Sequence, residues 1–132
     1  MDSRDEIVAK VRRSYEALSR GDFDAAVEIA HPDIEFVSPN GLTKLRGADK
    51  LRAWMEPDAF ESASYEPLEF AVNDNSVLVR QRVRGRGAES GIELDIMSWA
   101  VWTLNEDAQA IRVVSFLDTQ EAAARKAAGL SE

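Results

Sequence analysis

The chain has 132 residues, with 16 Lys and Arg against 24 Asp and Glu, one His and no Cys. That length fits one domain, and 45% apolar residues suffice for a core without a disulfide or metal staple. The lack of Cys excludes thiolate zinc sites and cysteine nucleophiles, and a net charge of −8 argues against sequence-independent binding to nucleic acid or anionic membrane.

Ile7, Val8, Val11, Tyr15 and Leu18 recur at three- and four-residue spacing, which makes one apolar stripe of a helix. Ser3 with Glu6 forms its capping box, and Gly21 is its stop. Asp22 caps a second helix over 23–30, with Phe23, Ala26, Val27, Ile29 and Ala30 inward. His31-Pro32 ends it, because the residue before proline is pushed out of the helical region. At that end the His31 imidazolium gains from the helix dipole, so a capping role outweighs a catalytic one. A strand over 34–38 is cut by Pro39-Asn40-Gly41. A third helix over 48–55 buries Leu51, Trp54 and Met55. A strand over 68–72 turns at Asn73-Asp74-Asn75.

The next two segments are the most informative. Over 77–86, Val77, Val79, Gln81 and Val83 share one face, and Leu78, Arg80, Arg82, Arg84 and Arg86 the other. Over 92–102, Ile92, Leu94, Ile96, Ser98, Ala100 and Trp102 oppose Glu93, Asp95, Met97, Trp99 and Val101. A turn over 85–91 joins them as an antiparallel hairpin, and faces must match across the pair. The arginines therefore sit opposite Glu93 and Asp95. A last strand over 110–117 precedes a helix over 120–128, capped by Thr119 and ended by Gly129. Asp118 helps to start that helix. Helices gathered against one face of an antiparallel sheet describe an α+β fold.

The inward face reads Phe36, Ser38, Leu68, Phe70, Val72, Val79, Gln81, Val83, Leu94, Ile96, Ser98, Ala100, Trp102, Val113, Ser115 and Leu117. Small residues at its centre mean either a close helix approach or a cavity, and an apolar cavity with a few polar groups is the usual small-molecule site. Gln81, Ser98 and Ser115 each need a partner there. The outer face centres on Met97, Trp99, Val101, Val114 and Phe116. Such a patch marks an interface, and this is the favoured reading; the blander alternative is that the C-terminal helix or a loop covers it. One histidine and scattered carboxylates give no metal-ligand spacing, and no cofactor is expected. No apolar run approaches ~18 residues, and the opening residues lack the basic and apolar regions of a signal peptide, so a cytoplasmic location is expected.

The phrases "ALSRGDFDAAVEIAHPDIEFVSPNG", "LRGADKLRAWM" and "VWTLNEDAQAIRVVSFLDTQEAAARKAAGLSE" resemble the nuclear transport factor 2-like superfamily, and within it the SnoaL-like proteins, many of them bacterial. The resemblance implies a single domain shaped as a cone, a cystatin-like α+β barrel in which a curved antiparallel sheet wraps the N-terminal helices around a pocket. It also implies a homodimer through the convex side of the sheet, at Met97, Trp99, Val101, Val114 and Phe116. The pocket would be lined by Tyr15, Phe36, Ser38, Trp54, Phe70, Gln81, Ile96, Ser98, Ala100, Trp102, Ser115 and Leu117.

The superfamily includes ketosteroid isomerases, which use a carboxylate base with a tyrosine and a protonated aspartate as oxyanion hole. Tyr15 matches that tyrosine. The base position reads Ser38, and the aspartate position reads Ala100. No inward strand position carries a carboxylate or histidine. A serine without a basic partner cannot abstract a carbon-bound proton at neutral pH. The resemblance thus implies a binder of a small apolar, polyketide- or steroid-like ligand without a complete catalytic set. The alternatives are an isomerase, cyclase or hydrolase whose base comes from a loop over 56–61, and a non-catalytic dimeric interaction module.

Overall fold

The apolar stripe of the first segment becomes the buried side of α1 (Ser3–Ser19), with Val11, Ser14, Tyr15 and Ala17 buried. In the computed structural model, which describes residues 3–41, 43–55, 60–87 and 90–130, nine further elements follow. They are α2 (Phe23–Ala26), β1 (Ala30–Val37), β2 (Lys44–Arg46), α3 (Ala48–Met55), β3 (Phe60–Asn73), β4 (Ser76–Gly87), β5 (Glu93–Leu104), β6 (Ala110–Leu117) and α4 (Glu121–Ala127). The Ser3 and Met55 side chains, and with them the capping box and the inward role of Met55, lie outside the described residues.

The six strands form one sheet in the order β2-β1-β6-β5-β4-β3. All pairs are antiparallel except β1 with β6, which run parallel. The α+β expectation holds, with that one departure from an all-antiparallel sheet. The sequence reading had no counterpart to β2, three residues too short to show a period. The hairpin register is as read: Arg84 faces Asp95, and Arg86 faces Glu93. Arg82 makes a two-pronged contact with Asp95 at 2.6 and 2.8 Å, which holds the Asp95 carboxyl below its ordinary range. Among the described residues, no helix is long and apolar enough to cross a membrane.

Three departures from the sequence reading have clear causes. The second helix stops at Ala26, because the Ile29 carbonyl accepts from Ala110 N at 2.7 Å and Ala30 pairs with Ala110, drawing the chain into β1. His31 therefore lies on a strand, not at a helix end, and its Nδ1 accepts from Asp33 N at 3.0 Å. Pro32 is tolerated where the β1–β6 pairing lapses between Ala30 and Glu35. The strand expected over 68–72 begins at Phe60, and its pairing with β4 is irregular between Pro67 and Glu69. That bulge shifts the alternation by one residue. Tyr65 takes an inward place opposite Val83, and Leu68, expected inward, is exposed.

The third departure concerns the convex face. Trp99 and Val101 are buried beneath α4, in a cluster with Leu78, Ala124 and Ala128. Met97, Val114 and Phe116 are partly buried. The five do not form the bare patch that argued for an interface, because the chain covers their centre itself. Ala124 and Ala128 are spaced by four residues, so their small side chains face the sheet together. Asn73 fastens the helix end by donating to the carbonyls of Ala128 and Gly129 at 3.1 and 3.0 Å. Arg80 lies 4.5 Å over the Trp99 ring and reaches Asp118 at 2.6 Å, and Trp99 Nε1 donates to the Asp118 carbonyl at 3.2 Å. The short turn over 118–120 that precedes α4 is thereby tied to the sheet. Gln120, not Thr119, stands at the helix start, with no side-chain cap.

Candidate functional site

The concave face holds the main core: Val11, Tyr15, Ile34, Phe36, Leu51, Val77, Val79, Ala100, Trp102, Leu104, Ala110 and Val113. A run of polar groups crosses it. Gln81 and Ser98 are cross-strand partners on β4 and β5, and both point inward by strand alternation. Tyr15 lies one helical turn after Val11 and reaches the same sheet from α1. Trp102 Nε1 donates to Tyr15 Oη at 3.2 Å, Tyr15 Oη donates to Gln81 Oε1 at 2.6 Å, and Gln81 Nε2 donates to Ser98 Oγ at 3.0 Å. All four residues are buried. The chain answers the question that buried polar groups raise.

Burial drives the Tyr15 phenol far above the ordinary range; the hydrogen bond from Trp102 opposes this, and the neighbouring Tyr65 adds to it. Burial pushes Tyr65 up as well. Both phenols are neutral at physiological pH, so neither acts as a base.

Against this chain lies a cavity of about 70 Å³. Its walls come from Tyr15 and Leu18 of α1, Phe36 of β1, Leu51 and Trp54 of α3, and Tyr65 of β3. Gln81, Ala100, Trp102, Val113 and Ser115 complete it from the remaining strands. None of these side chains is charged. Trp54 stands at the opening, 42% exposed and 4.6 Å from the Phe36 ring, rather than buried as its helix position suggested. The volume is room for about two waters, well under the roughly 300 Å³ at which drug-sized sites begin. Wider grooves lie on the surface, one between α1 and α2 at Lys10, Arg13, Glu16 and Glu28, and another at Arg84, Arg86, Glu93 and Asp95. Their walls are charged, unlike the described walls of the cone cavity.

Of the residues expected to line the pocket, Tyr15, Phe36, Trp54, Gln81, Ala100, Trp102 and Ser115 do so. Ser98 stands behind Gln81 as its acceptor. Ser38 is turned to its own loop, where its Oγ accepts from Thr43 N at 2.7 Å. Phe70 packs beneath the Arg12 guanidinium at 5.0 Å, on the side of the sheet end near α1. Ile96 and Leu117 share the inward parity but are exposed and are not among the described wall residues. Leu18, Leu51, Val113 and Tyr65 are wall residues beyond those expected from the sequence. The first three belong to apolar stripes identified there, and the fourth was hidden by the bulge. Residues 56–59 of the loop proposed to supply a base, and the side chains of 60 and 61, lie outside the described residues.

A model of the SnoaL-like domain family matches residues 11–113. No curated protein matches the chain. Among solved structures, an NTF2-like protein of unknown function from Burkholderia pseudomallei K96243 is similar at a TM-score of 0.75 and 23% identity, covering 87% of this chain and 92% of its own. An LEH-like epoxide hydrolase from M. tuberculosis is similar at 0.74 and 13% identity, over 88% and 85%. The epoxide hydrolase/cyclase-like enzyme SalBIII, described with pyran ring formation in polyether salinomycin, is similar at 0.74 and 21%, over 86% and 89%. At these identities the likeness shows the fold, which hosts both hydrolases and cyclases.

Proposed function

We propose, for a chain that belongs to the SnoaL-like domain family, that the cone pocket binds a small, uncharged, largely apolar ligand without acid–base turnover. One observation carries this reading: among the described residues, the cavity has hydroxyl, amide, aromatic and aliphatic walls and no charged one. A carboxylate or ammonium entering it would lose hydration with nothing to replace it. A neutral ring with one oxygen would keep its hydrogen bond. The present volume is under the ~150 Å³ that holds one small apolar ring, so a single ring enters only as Trp54 at the opening gives way, and a fused polyketide or steroid needs more room still.

The test is a titration of the ¹⁵N-labelled chain with cyclopentanol and with cyclopentanecarboxylate at pH 7. The alcohol is expected to move the Trp54 and Trp102 indole signals in a saturable way, and the carboxylate to leave them in place. Equal binding of both refutes a neutral pocket.

The second reading is an isomerase, cyclase or hydrolase working in the same cavity. It rests on the hydrolase and cyclase neighbours and needs a base from the loop over 56–61. Loss of turnover in Glu56→Gln or Glu61→Gln on an epoxide or polyketide substrate would support it. A homodimer is part of the proposal in reduced form. With Trp99 and Val101 covered by α4, the contact would use Met97, Val114 and Phe116 beside the helix, and light scattering at micromolar concentration tests it.

A further inference from the structure

We propose that Gln81 sets the hydrogen-bond polarity of the pocket: its amide turns end for end, so that Tyr15 keeps its proton on Gln81 when the pocket is empty and gives it to a carbonyl oxygen when one enters. The inference rests on the ligand-binding reading above and names the chemistry of the ligand, a small ring bearing a ketone or ester carbonyl.

The two ends of a glutamine amide have nearly the same shape and opposite polarity, and hydroxyls both donate and accept. Gln81 lies between two hydroxyls, Tyr15 Oη at 2.6 Å and Ser98 Oγ at 3.0 Å. The run Tyr15–Gln81–Ser98 therefore has two paired arrangements on the same heavy-atom positions. In the arrangement present, Tyr15 donates to Gln81 Oε1, and Gln81 Nε2 donates to Ser98. In the turned one, Gln81 Nε2 donates to Tyr15 Oη, and Ser98 Oγ donates to Gln81 Oε1.

Trp102 fixes the outcome. Its indole N–H can only donate, so its 3.2 Å bond to Tyr15 Oη keeps one direction in both arrangements. Once the amide has turned, the Tyr15 oxygen accepts two hydrogen bonds and its own proton is free. Tyr15 lines the cavity, so that proton is available to a ligand there. Two donors on the phenol oxygen also polarise its O–H and make it a better donor. Neither arrangement breaks the bonds that satisfy these buried groups, which is what permits the exchange. Without the turn, a carbonyl at Tyr15 would have to leave Gln81 Oε1 bare.

The test uses the full chain, ¹⁵N- and ¹³C-labelled, with cyclopentanone and cyclopentanol as probes. In the free protein the Gln81 amide protons should show nuclear Overhauser contacts to Ser98 Hβ. Saturating cyclopentanone should move those contacts to the Tyr15 ring protons. In Gln81→Met the competing acceptor is gone and the side-chain length is kept. Because the turned amide leaves the Tyr15 proton to the ketone without losing a bond, the ketone-to-alcohol affinity ratio should stay within about threefold of wild type. Amide protons that stay on Ser98 in the ketone complex, or a ratio that rises about tenfold in Gln81→Met because a fixed amide no longer competes for the Tyr15 proton, overturn the proposal while leaving the ligand-binding reading standing. If neither probe moves a pocket signal, the ligand-binding reading falls and takes this one with it. Should Gln81→Met fail to fold, the contacts in the wild type decide alone.

Discussion

Tyr15→Phe removes one oxygen and with it both of the hydrogen bonds that join α1 to the sheet interior. Trp102 Nε1–H loses its acceptor and Gln81 Oε1 its donor, both on buried residues. An orphaned buried group costs roughly 1–3 kcal/mol, and removing the phenol oxygen recovers part of that, so about 2–4 kcal/mol is expected in all. For a domain of this size that is a fall in Tm of roughly 10 °C. Tyr65→Phe is the control: Ser19 bonds the Tyr65 backbone carbonyl, not its phenol, so a change within about 0.5 kcal/mol is expected. Thermal melts and guanidinium titrations with matched slopes measure both. The pH dependence carries a sign. The folded pKa of Tyr15 lies above the ordinary phenol value of about 10, so its contribution is whole below pH 10 and is lost as pH rises further, by up to about 1.4 kcal/mol per unit. The gap between wild type and Tyr15→Phe should therefore narrow from pH 10 to 11. A Tyr15→Phe protein that melts within about 2 °C of wild type at pH 7 refutes the network as a structural element.

Three further outcomes follow from the same geometry. Ala100→Val adds two methyl groups to the cavity wall; stability should stay within about 1.5 kcal/mol of wild type while cyclopentanol uptake drops, and undiminished uptake would place the ligand elsewhere. Trp99→Glu puts a carboxylate beneath α4 and should cost about 3–5 kcal/mol, with hydrogen exchange accelerating first over 121–127; a stable variant that only changes oligomeric state would contradict the covered face. Ketosteroid isomerisation should stay at background in the wild type and in Ser38→Asp, because position 38 faces its own loop and Ala100 offers no proton; robust turnover by either protein, followed by enone absorbance, would contradict this.

What the sequence made legible was whatever a period of two or 3.6 can carry. The face pairing of the β4–β5 hairpin was readable, since a one-step slip would have set Arg84 and Arg86 against apolar neighbours instead of Asp95 and Glu93, although the strand runs on to Gly87 where a turn from 85 was expected. Alternation through Gln81, Ala100, Trp102 and Ser115 likewise gave the sheet side of the pocket. Parity says which face a residue takes, however, and not whether that part of the face is covered. Ile96 and Leu117 were therefore placed in a wall they do not reach. A bulge breaks the period without a composition mark beyond Pro67, which hid Tyr65 and misplaced Leu68. The parallel β1–β6 pair and the short α2 depend on Ala110, eighty residues away in the chain, and no local pattern reports that contact. The cover on Trp99 was hinted at by Ala124, Ala128 and Leu130 as a small apolar stripe, but only the folded chain shows α4 turned back onto the sheet.

A crystal structure grown with saturating cyclopentanone tests the central claim most directly, because it asks whether the uncharged cavity takes a ligand at all. The ring should lie between Tyr65, Ala100 and Trp102, its oxygen within hydrogen-bond distance of Tyr15. An empty or water-filled cone, with the ring bound only in the charged surface grooves, would contradict it.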